Sequence, residues 1–274
     1  MTDGESHPKG SPAQGGLPVQ RPLSPDRRQQ MLELVYRAGH VQVDELSDRF
    51  GVSKVTVRGD LDWLAERNLV TRARGGAVGV PGQALTAAFS ERTALCKAEK
   101  QRIAKAAALL LGAEETILLD AGSTVYELSK LISAASGLTV VTPSLSIATQ
   151  LGGLPGVELI IVGGRLDPHT IATTGPTAER EIMEIRAHKL FLAAHGIDRE
   201  GDVVDVSLEV ARLKRAMISV ARQVILLADS TKWGRTGQAR VVDLASVSTV
   251  ISDPGLSTSA RRAIRDAGVQ LILA

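Results

Sequence analysis

The sequence contains a single cysteine and no long apolar run. Cys96 alone cannot form a disulfide within the chain, which excludes a disulfide-linked scaffold. A membrane-spanning helix needs about 20 consecutive apolar residues, and the richest stretch, residues 104–111, stops at Gly112 and lies among charged residues. The N-terminus also lacks the pattern of a signal peptide. We therefore expect a cytoplasmic protein without membrane contact.

Aromatic residues and net charge are scarce as well. Two Trp, two Tyr and three Phe in 274 residues are too few for the stacking platform that single-stranded nucleic acids bind. A formal net charge of +2 gives no argument for nucleic acid as a partner. Any case for DNA binding must therefore rest on where the basic residues lie.

The N-terminal part divides into a polar tail and short helices. Residues 1–22 are rich in Gly, Pro and Ser with almost no large apolar side chains, which predicts disorder. A helix is predicted to begin at Ser24, with proline at its first position, and to end near Gly39. A short extended segment, residues 41–43, then leads into a second helix over residues 44–50.

The next stretch, residues 51–64, reads GVSKVTVRGDLDWL and has the pattern of a recognition helix. Gly51 suits the left-handed end of the preceding helix, and Ser53 can cap the new one by accepting a backbone N–H. One helical face is apolar and consists of Val57, Leu61 and Leu64. The other face opens with side chains suited to bases and phosphates, namely Lys54, Thr56 and Arg58, and these three together with Ser53 are predicted to contact DNA. The alternative is an ordinary surface helix after a tight turn.

A basic wing follows this helix. Asn68 suits a left-handed cap, and LVTRARGGAV, residues 69–78, alternates apolar residues with Thr and Arg before a Gly-Gly turn. The pattern predicts two strands carrying Arg72 and Arg74, although both could be solvated strand charges. Three helices and a basic wing within residues 23–79 predict a winged helix-turn-helix that binds double-stranded DNA.

The composition changes after residue 79. Residues 80–96 contain Pro and Gly with few large apolar side chains, and we predict a linker there. A helical pattern over residues 97–111 then precedes short Val/Ile/Leu runs that alternate with further helical patterns, which indicates a largely parallel sheet covered on both faces. Residues 97–274 are therefore predicted to form an α/β domain. Its predicted strands are residues 116–119, 138–141, 159–162, 190–193, 224–228, 247–251 and 269–273.

Polar residues follow the first five of these runs. Ligands of open α/β sheets bind beyond the carboxyl ends of the strands, where the sequence here reads DAGST, TPS, GGR, HGID and DSTK. Backbone N–H groups and hydroxyls at a strand-to-helix turn suit a phosphate, and lysines can add positive charge, although each residue alone fits a turn, a cap or a solvated position equally well. Together they predict a shared site for an anionic ligand, formed by Asp120, Gly122, Ser123, Thr124, Thr142, Ser144, Gly163, Gly164, Asp198, Lys214 and Lys232.

Other kinds of site have less support. The histidines show no i, i+4 or clustered ligand spacing, so no metal is predicted. Ser123 lacks a G-x-S-x-G elbow, which argues against a hydrolase. Cys96 is expected to be a buried or functionally indifferent thiol rather than a nucleophile. We predict no catalytic residue and no cofactor.

The sequence resembles the DeoR/GlpR-type bacterial transcription regulators. The N-terminal match lies in GHVQVDELSDRFGVSKVTVRGDL, residues 39–61, and RARGGAV, residues 72–78. The C-terminal match covers residues 98–274 through ILLDAGST, TVVTPS, VGGRLD, FLAAHGID, a helix carrying Glu209 and Lys214, and LLADSTKWG. The resemblance implies a sensor domain folded like ribose-5-phosphate isomerases and CoA transferases, with a phosphorylated sugar or related metabolite as effector.

A few positions depart from the family pattern. Gly59 stands where a second arginine is usual, which removes one expected phosphate contact and places glycine inside a helix, about 1 kcal/mol less favourable than alanine. Pro143 stands where Asn is usual, and His195 precedes Gly196 where a glycine is common. The first departure bears on affinity or operator choice, and the others bear on which sugar is bound.

We predict a repressor of sugar or related carbon metabolism. The winged helix-turn-helix would bind an operator, and the α/β domain would bind the phosphorylated sugar and form a homodimer or homotetramer, since recognition helices work in symmetric pairs. The main alternative is a sugar-phosphate isomerase or transferase-like enzyme with an appended DNA-binding module, and the basic residues of that module argue against it. A non-specific architectural DNA-binding protein would leave the polar strand ends unexplained.

Overall fold

The computed structural model describes residues 24–80, 84–134 and 137–274. The tail predicted to be disordered, residues 1–22, lies outside them. The predicted fold class is confirmed, because a winged helix-turn-helix precedes a domain built on a seven-stranded parallel sheet. No helix in the described ranges is long and apolar enough to cross a bilayer.

The N-terminal domain consists of α1 (Ser24–Ala38), β1 (His40–Gln42), α2 (Val43–Phe50), α3 (Lys54–Glu66), β2 (Val70–Ala73) and β3 (Gly76–Gly79). Apolar residues at helical spacing, such as Met31, Leu61 and Leu64, form its core. Gly39 and Gly51, with φ of 79° and 62°, follow α1 and α2 where the sequence predicts the helices to end.

The wing differs from the predicted two-stranded form in two respects. β1 pairs antiparallel with β3, so the sheet has three strands in the order β1-β3-β2. The hairpin turn consists of Arg74 and Gly75 rather than two glycines, because Gly76 already pairs with Gln42 of β1. A Cβ on Gly76 would lie 1.8 Å from the carbonyl oxygen of Val41, so this strand pairing requires glycine.

After α4 (Ala84–Ala94), the C-terminal domain contains α5 (Lys97–Ala108), β4 (Thr116–Leu119), α6 (Ser123–Ser129), β5 (Leu138–Thr142), α7 (Leu145–Leu151), β6 (Val157–Ile161), β7 (Arg165–Asp167), β8 (Ala172–Thr174), α8 (Pro176–Met183), β9 (Ala187–Ala193), β10 (Gly196–Ile197), β11 (Asp202–Asp205), α9 (Leu208–Val220), β12 (Ala221–Leu227), β13 (Ala239–Asp243), β14 (Thr249–Ser252), α10 (Thr258–Asp266) and β15 (Gln270–Leu273). Each predicted strand overlaps one strand of a parallel sheet with the order β15-β14-β12-β9-β4-β5-β6. β7 pairs with β8, and β10, β11 and β13 form a small antiparallel sheet.

Both faces of the large sheet are buried. Along β4, Ile117 and Leu119 pack with α5, α6 and α7, whereas Leu118 packs on the opposite face with α8, α9 and α10. Strands buried on both faces are apolar at every position, which is why they read as continuous runs in the sequence.

The strand order reverses between β4 and β9. From β4 the chain continues to β5 and β6 on one side, and β9 then lies on the other side of β4, followed outward by β12, β14 and β15. At such a reversal the loops leave the two strands in opposite directions, and a crevice for ligands forms beyond their carboxyl ends. The residues that follow Leu119 and Ala193 therefore lie at this reversal point.

Helix α4 occupies most of the predicted linker, residues 80–96. It has no apolar stripe that would reveal it in the sequence, but its Ala, Leu, Glu and Arg residues favour a helix. Lys100, a buried residue of α5, donates through Nζ to two carbonyl oxygens at the end of α4. The acceptors are Arg92, in the last turn of α4, and Leu95, just after it, the latter at 2.7 Å. Because α4 contacts both α1 and α6, the predicted linker contains a helix that touches both domains.

Candidate DNA-binding surface and effector site

Short side chains fix the turn between α2 and α3. Gly51 donates its backbone N–H to the carbonyl of Ser47, whose hydroxyl donates to the carbonyl oxygen of Val52 at 2.7 Å. Ser53 caps α3 as predicted, because its Oγ accepts the backbone N–H of Thr56 at 3.1 Å. The Ser53 and Thr56 hydroxyl oxygens lie 2.9 Å apart. The two hydroxyls predicted to contact DNA thus also hold the start of the helix.

The exposed residues of α3 are Lys54, Val55, Arg58, Gly59, Asp62 and, at its end, Glu66. Arg58 has no hydrogen bond or ion pair within the described part of the chain, so its guanidinium is available to a partner. Lys54 Nζ instead lies 3.0 Å from an oxygen of Asp44 on α2.

The two wing arginines have different surroundings. Arg72 Nε lies 3.1 Å from an oxygen of Asp62 on α3. Arg74 is exposed at the hairpin tip and forms no ion pair with any described residue. Exposed ion pairs contribute only about 0–1 kcal/mol, so Arg72 can exchange Asp62 for a phosphate at little cost.

A buried ion-pair cluster behind α3 was not predicted. Asp60 is 2% exposed, and its carboxylate oxygens accept from Arg27 Nε and Arg28 Nε, each at 2.7 Å. Both arginines belong to α1, so the cluster fixes α1 against α3. The sequence did carry a signal, since an acidic residue on the apolar side of a predicted helix requires a basic partner.

At the reversal point of the large sheet, a lysine lies between two carboxylates. Lys214 Nζ is 3.4 Å from an oxygen of Asp120 and 2.9 Å from an oxygen of Asp205, and it donates to the carbonyl oxygen of Ala193 at 2.8 Å. Asp120 also accepts the backbone N–H groups of Ala121 at 2.7 Å and Ala193 at 2.9 Å. This buried network joins β4, β9, β11 and α9.

Burial and charge compete in setting the protonation of this network. Burial raises the pKa of Asp120, although Lys214 opposes it. Burial acts in the same direction on Asp205, but Lys214 outweighs it and the pKa is lowered. Burial alone would lower the pKa of Lys214, yet the two carboxylates raise it above its usual value. The protein itself therefore compensates the charge of Lys214.

Two further ionisable groups follow β9 and β12. Half-buried Lys232 ends a short 3-10 turn that Asp229 caps, and burial lowers its pKa to about 8. Burial, together with the charge of Lys232, lowers the pKa of His195 to about 4, so this imidazole is neutral near pH 7. A bound anion would oppose the effect of burial on Lys232.

The turn after β4 requires glycine. A Cβ on Gly122 would lie 2.4 Å from the Cβ of Ala193 on the neighbouring strand. Helix α6 begins at the next residue, half-buried Ser123, and Thr124 is buried. The Ser123 hydroxyl forms no hydrogen bond within the described residues, so it is free to meet a ligand at this edge of the sheet.

The hydroxyls predicted after β5 are used inside the protein. Thr142 and Ser144 are both fully buried. Thr142 Oγ1 donates to the carbonyl oxygen of Leu119 at 2.7 Å, and Ser144 Oγ accepts the backbone N–H of Ile147 at 3.3 Å as the cap of α7. These hydroxyls thus hold β5 against β4 and begin a helix.

The remaining predicted residues also have local partners. Gly163 donates its backbone N–H to Glu181 Oε2 at 2.6 Å, and Gly164, with φ of 139°, approaches the backbone of β8. Asp198 Oδ1 accepts two backbone N–H groups in the turn between β10 and β11, at 3.1 and 2.8 Å. Asp205, which was not among the predicted site residues, lies across Lys214 from Asp120.

The described residues contain no cluster of three His, Cys, Asp or Glu side chains that could hold a metal ion. Cys96 lies just before α5 with φ of 50°, and burial raises the pKa of its thiol. A thiol with a raised pKa is a poor nucleophile.

Family models and individual relatives match both domains. A DeoR-like helix-turn-helix domain matches residues 27–81, and a DeoR C terminal sensor domain matches residues 96–254. The glycerol-3-phosphate regulon repressor of Escherichia coli K12 is 31% identical over 247 residues, which are 90% of this chain and 98% of that protein. The HTH-type transcriptional regulator GlpR of Haloferax volcanii is 31% identical over 250 residues, 91% of this chain and 98% of that protein.

Among solved structures, the chain is weakly similar to a ribose 5-phosphate isomerase A from Methanocaldococcus jannaschii. It is 14% identical, covers 49% of this chain and 53% of its own, and has a TM-score of 0.34. The family models describe a DNA-binding domain and a sensor domain, and together they cover most of the described residues. The chain therefore belongs to the DeoR family of DNA-binding transcription regulators.

Proposed function

We propose that this chain represses genes of sugar or related carbon metabolism and that a phosphorylated sugar, bound at the carboxyl ends of β4, β9 and β12, controls it. The observation that carries the proposal is the exposed face of α3 beside an arginine-bearing wing, in a chain whose larger domain is a sensor. The name of the glycerol-3-phosphate regulon repressor supports a small phosphorylated metabolite as the effector class.

The DNA contacts divide by chemistry. Arg58 and Lys54 face the major groove, where arginine and lysine recognise guanine, and Arg72 and Arg74 hold phosphates. Ser53 and Thr56 orient the first turn of α3 and approach the DNA backbone. Two such helices act together in a homodimer or homotetramer held by the sensor domain, and each reads one half of a symmetric operator.

Arg58→Ala is expected to weaken binding to the selected operator by about 1–3 kcal/mol and to relax its sequence preference, because a base contact is lost. Arg74→Ala is expected to weaken binding to all duplexes alike and to lower the salt slope by about one, because a phosphate contact is lost. Titrations of a duplex selected from a random library, at several salt concentrations, measure both effects.

Arg262→Ala is the matched control, because Arg262 is an exposed residue of α10 in the other domain. It should change neither the operator affinity nor the salt slope. If Arg58→Ala and Arg74→Ala had equal effects that did not depend on salt, the assignment of base and phosphate contacts would be wrong.

The effector site uses the groups at the reversal point that remain available. The phosphate sits at the turn of Gly122, Ser123 and Thr124, with Lys232 as its cation. The sugar lies toward Asp120, while Lys214 acts by holding β4 and β9 together. Because α4 contacts both α6 and α1, a ligand beside α6 acts on the connection to the DNA-binding domain.

A phosphorylated sugar at about 100 times its dissociation constant is expected to stabilise the protein by roughly 2.7 kcal/mol, because it binds the native state alone. Ser123→Asp is expected to abolish this shift, since a carboxylate would occupy the phosphate position, and to leave operator binding intact. The measurement is a melting screen against hexose, pentose and triose phosphates beside the unphosphorylated sugars.

Ser259→Asp, in the first turn of α10, is the matched control and should keep the full shift. The proposal fails if free sugars shift the melt as much as their phosphates, or if Ser123→Asp responds like the native protein.

A further inference from the structure

The exposed face of α3 carries an apolar residue that none of the contacts above uses. Val55 is 75% exposed, whereas Val57, Leu61 and Leu64 of the same helix are 0% exposed. A single exposed aliphatic residue is common on protein surfaces. Val55, however, lies among the side chains that are proposed to face DNA, so its exposure bears on DNA recognition.

The surroundings of Val55 leave room for a close contact. One helical turn later stands Gly59, where a Cβ would have no atom within 4 Å. Beside Val55 the helix therefore presents bare backbone, which lets a surface approach closely. Lys54, the residue before Val55, is held toward Asp44 at 3.0 Å. On the exposed face Arg58 follows Val55 one turn later beside Gly59, and Asp62 stands a further turn along the helix.

The side chain is also prepared for such a contact. Valine in a helix has one strongly preferred χ1 rotamer, so its two methyl groups are already oriented and little entropy is lost when they pack against a partner. The cap formed by Ser53 holds the first turn, which fixes the direction of Val55 relative to the helix axis.

We infer that Val55 is a specificity residue that recognises the 5-methyl group of a thymine in the major groove. Thymine is the base that presents a methyl group there, and aliphatic side chains contact it. The inference rests on the proposed entry of α3 into the major groove and goes beyond it, because it assigns a base to a residue without a polar group. Arg58 and Val55 then read neighbouring base pairs by different chemistry.

The test replaces thymine with uracil, which removes only the methyl group. The full chain first selects its operator from a random duplex library, and every thymine of that operator is then changed singly to uracil. At one thymine in each half-site, the native protein should bind about fourfold more weakly, the effect of one buried methyl group. Val55→Ala, which removes both γ-methyl groups, should show a clearly smaller loss at that thymine and an unchanged loss at every other position.

Leu109→Ala is the matched control, because Leu109 is 86% exposed and lies in the sensor domain just after α5. It should keep the native uracil profile. The inference is overturned if the native protein tolerates uracil at every position, or if Val55→Ala keeps the native uracil profile. If no sequence is selected at all, the proposed operator binding fails and the inference fails with it.

Discussion

Lys214→Met is expected to lower the free energy of unfolding of the sensor domain by about 3–5 kcal/mol, the loss typical of a buried ion pair when one partner is removed. Lys214 and its partners Asp120 and Asp205 have side chains at most 7% exposed, so the two carboxylates would stay buried without a counter-charge. Urea denaturation followed by circular dichroism measures the loss.

The matched control is Lys189→Met. Lys189 lies 2.6 Å from Glu115, but these side chains are 16% and 20% exposed, so water replaces part of the lost interaction and the loss should be smaller. Adding Asp120→Asn and Asp205→Asn to Lys214→Met should recover part of the stability, because the uncompensated charges are removed. Equal losses from Lys214→Met and Lys189→Met would contradict the assignment.

Asp60→Asn is expected to destabilise the N-terminal domain by a similar amount, about 3–5 kcal/mol, and to abolish operator binding. The change leaves Arg27, whose side chain is 9% exposed, without its carboxylate. A domain of this size has little stability in reserve, so α3 would lose its fixed position. Hydrogen exchange of the α3 amides and operator titration measure the two effects.

Asp62→Asn, on the exposed face of the same helix, is the control. Asp62 is 58% exposed and pairs with Arg72, so stability should change by less than about 1 kcal/mol. Operator binding should become tighter, because a negative charge is removed and Arg72 is released to a phosphate. Loss of operator binding in Asp62→Asn together with intact binding in Asp60→Asn would contradict the roles assigned to these two residues.

The strands were predictable because short continuous runs of Val, Ile and Leu between helical patterns indicate strands buried on both faces. The run over residues 116–119 is short, mostly apolar and followed by a turn, and β4 has those bounds. Helix α4 was missed because a helix rich in small residues has no apolar stripe. Its position depends on tertiary contacts, such as the hydrogen bonds from Lys100, which local sequence does not reveal.

The candidate sites were harder to predict than the strands. Polar residues after a strand can bind a ligand or cap a helix, and the same residue types are suited to both roles. Thr142 and Ser144 illustrate this, because both are buried and form hydrogen bonds within the protein. Spacing also does not reveal pairs that are far apart in the chain, such as Asp60 with Arg27 or Lys214 with Asp120. The exposed positions on α3 were easier to predict, because helical periodicity distinguishes them from the core positions of the same helix.

The pairing of β4 with β9 affects how the chain folds during synthesis. Leu118 lies opposite Leu190, so the centre of the large sheet forms only after the intervening residues have been made. The N-terminal domain, in contrast, joins elements that are close in sequence, and local contacts form faster than distant ones. A ribosome-bound chain therefore displays a folded recognition helix well before its sensor sheet is complete.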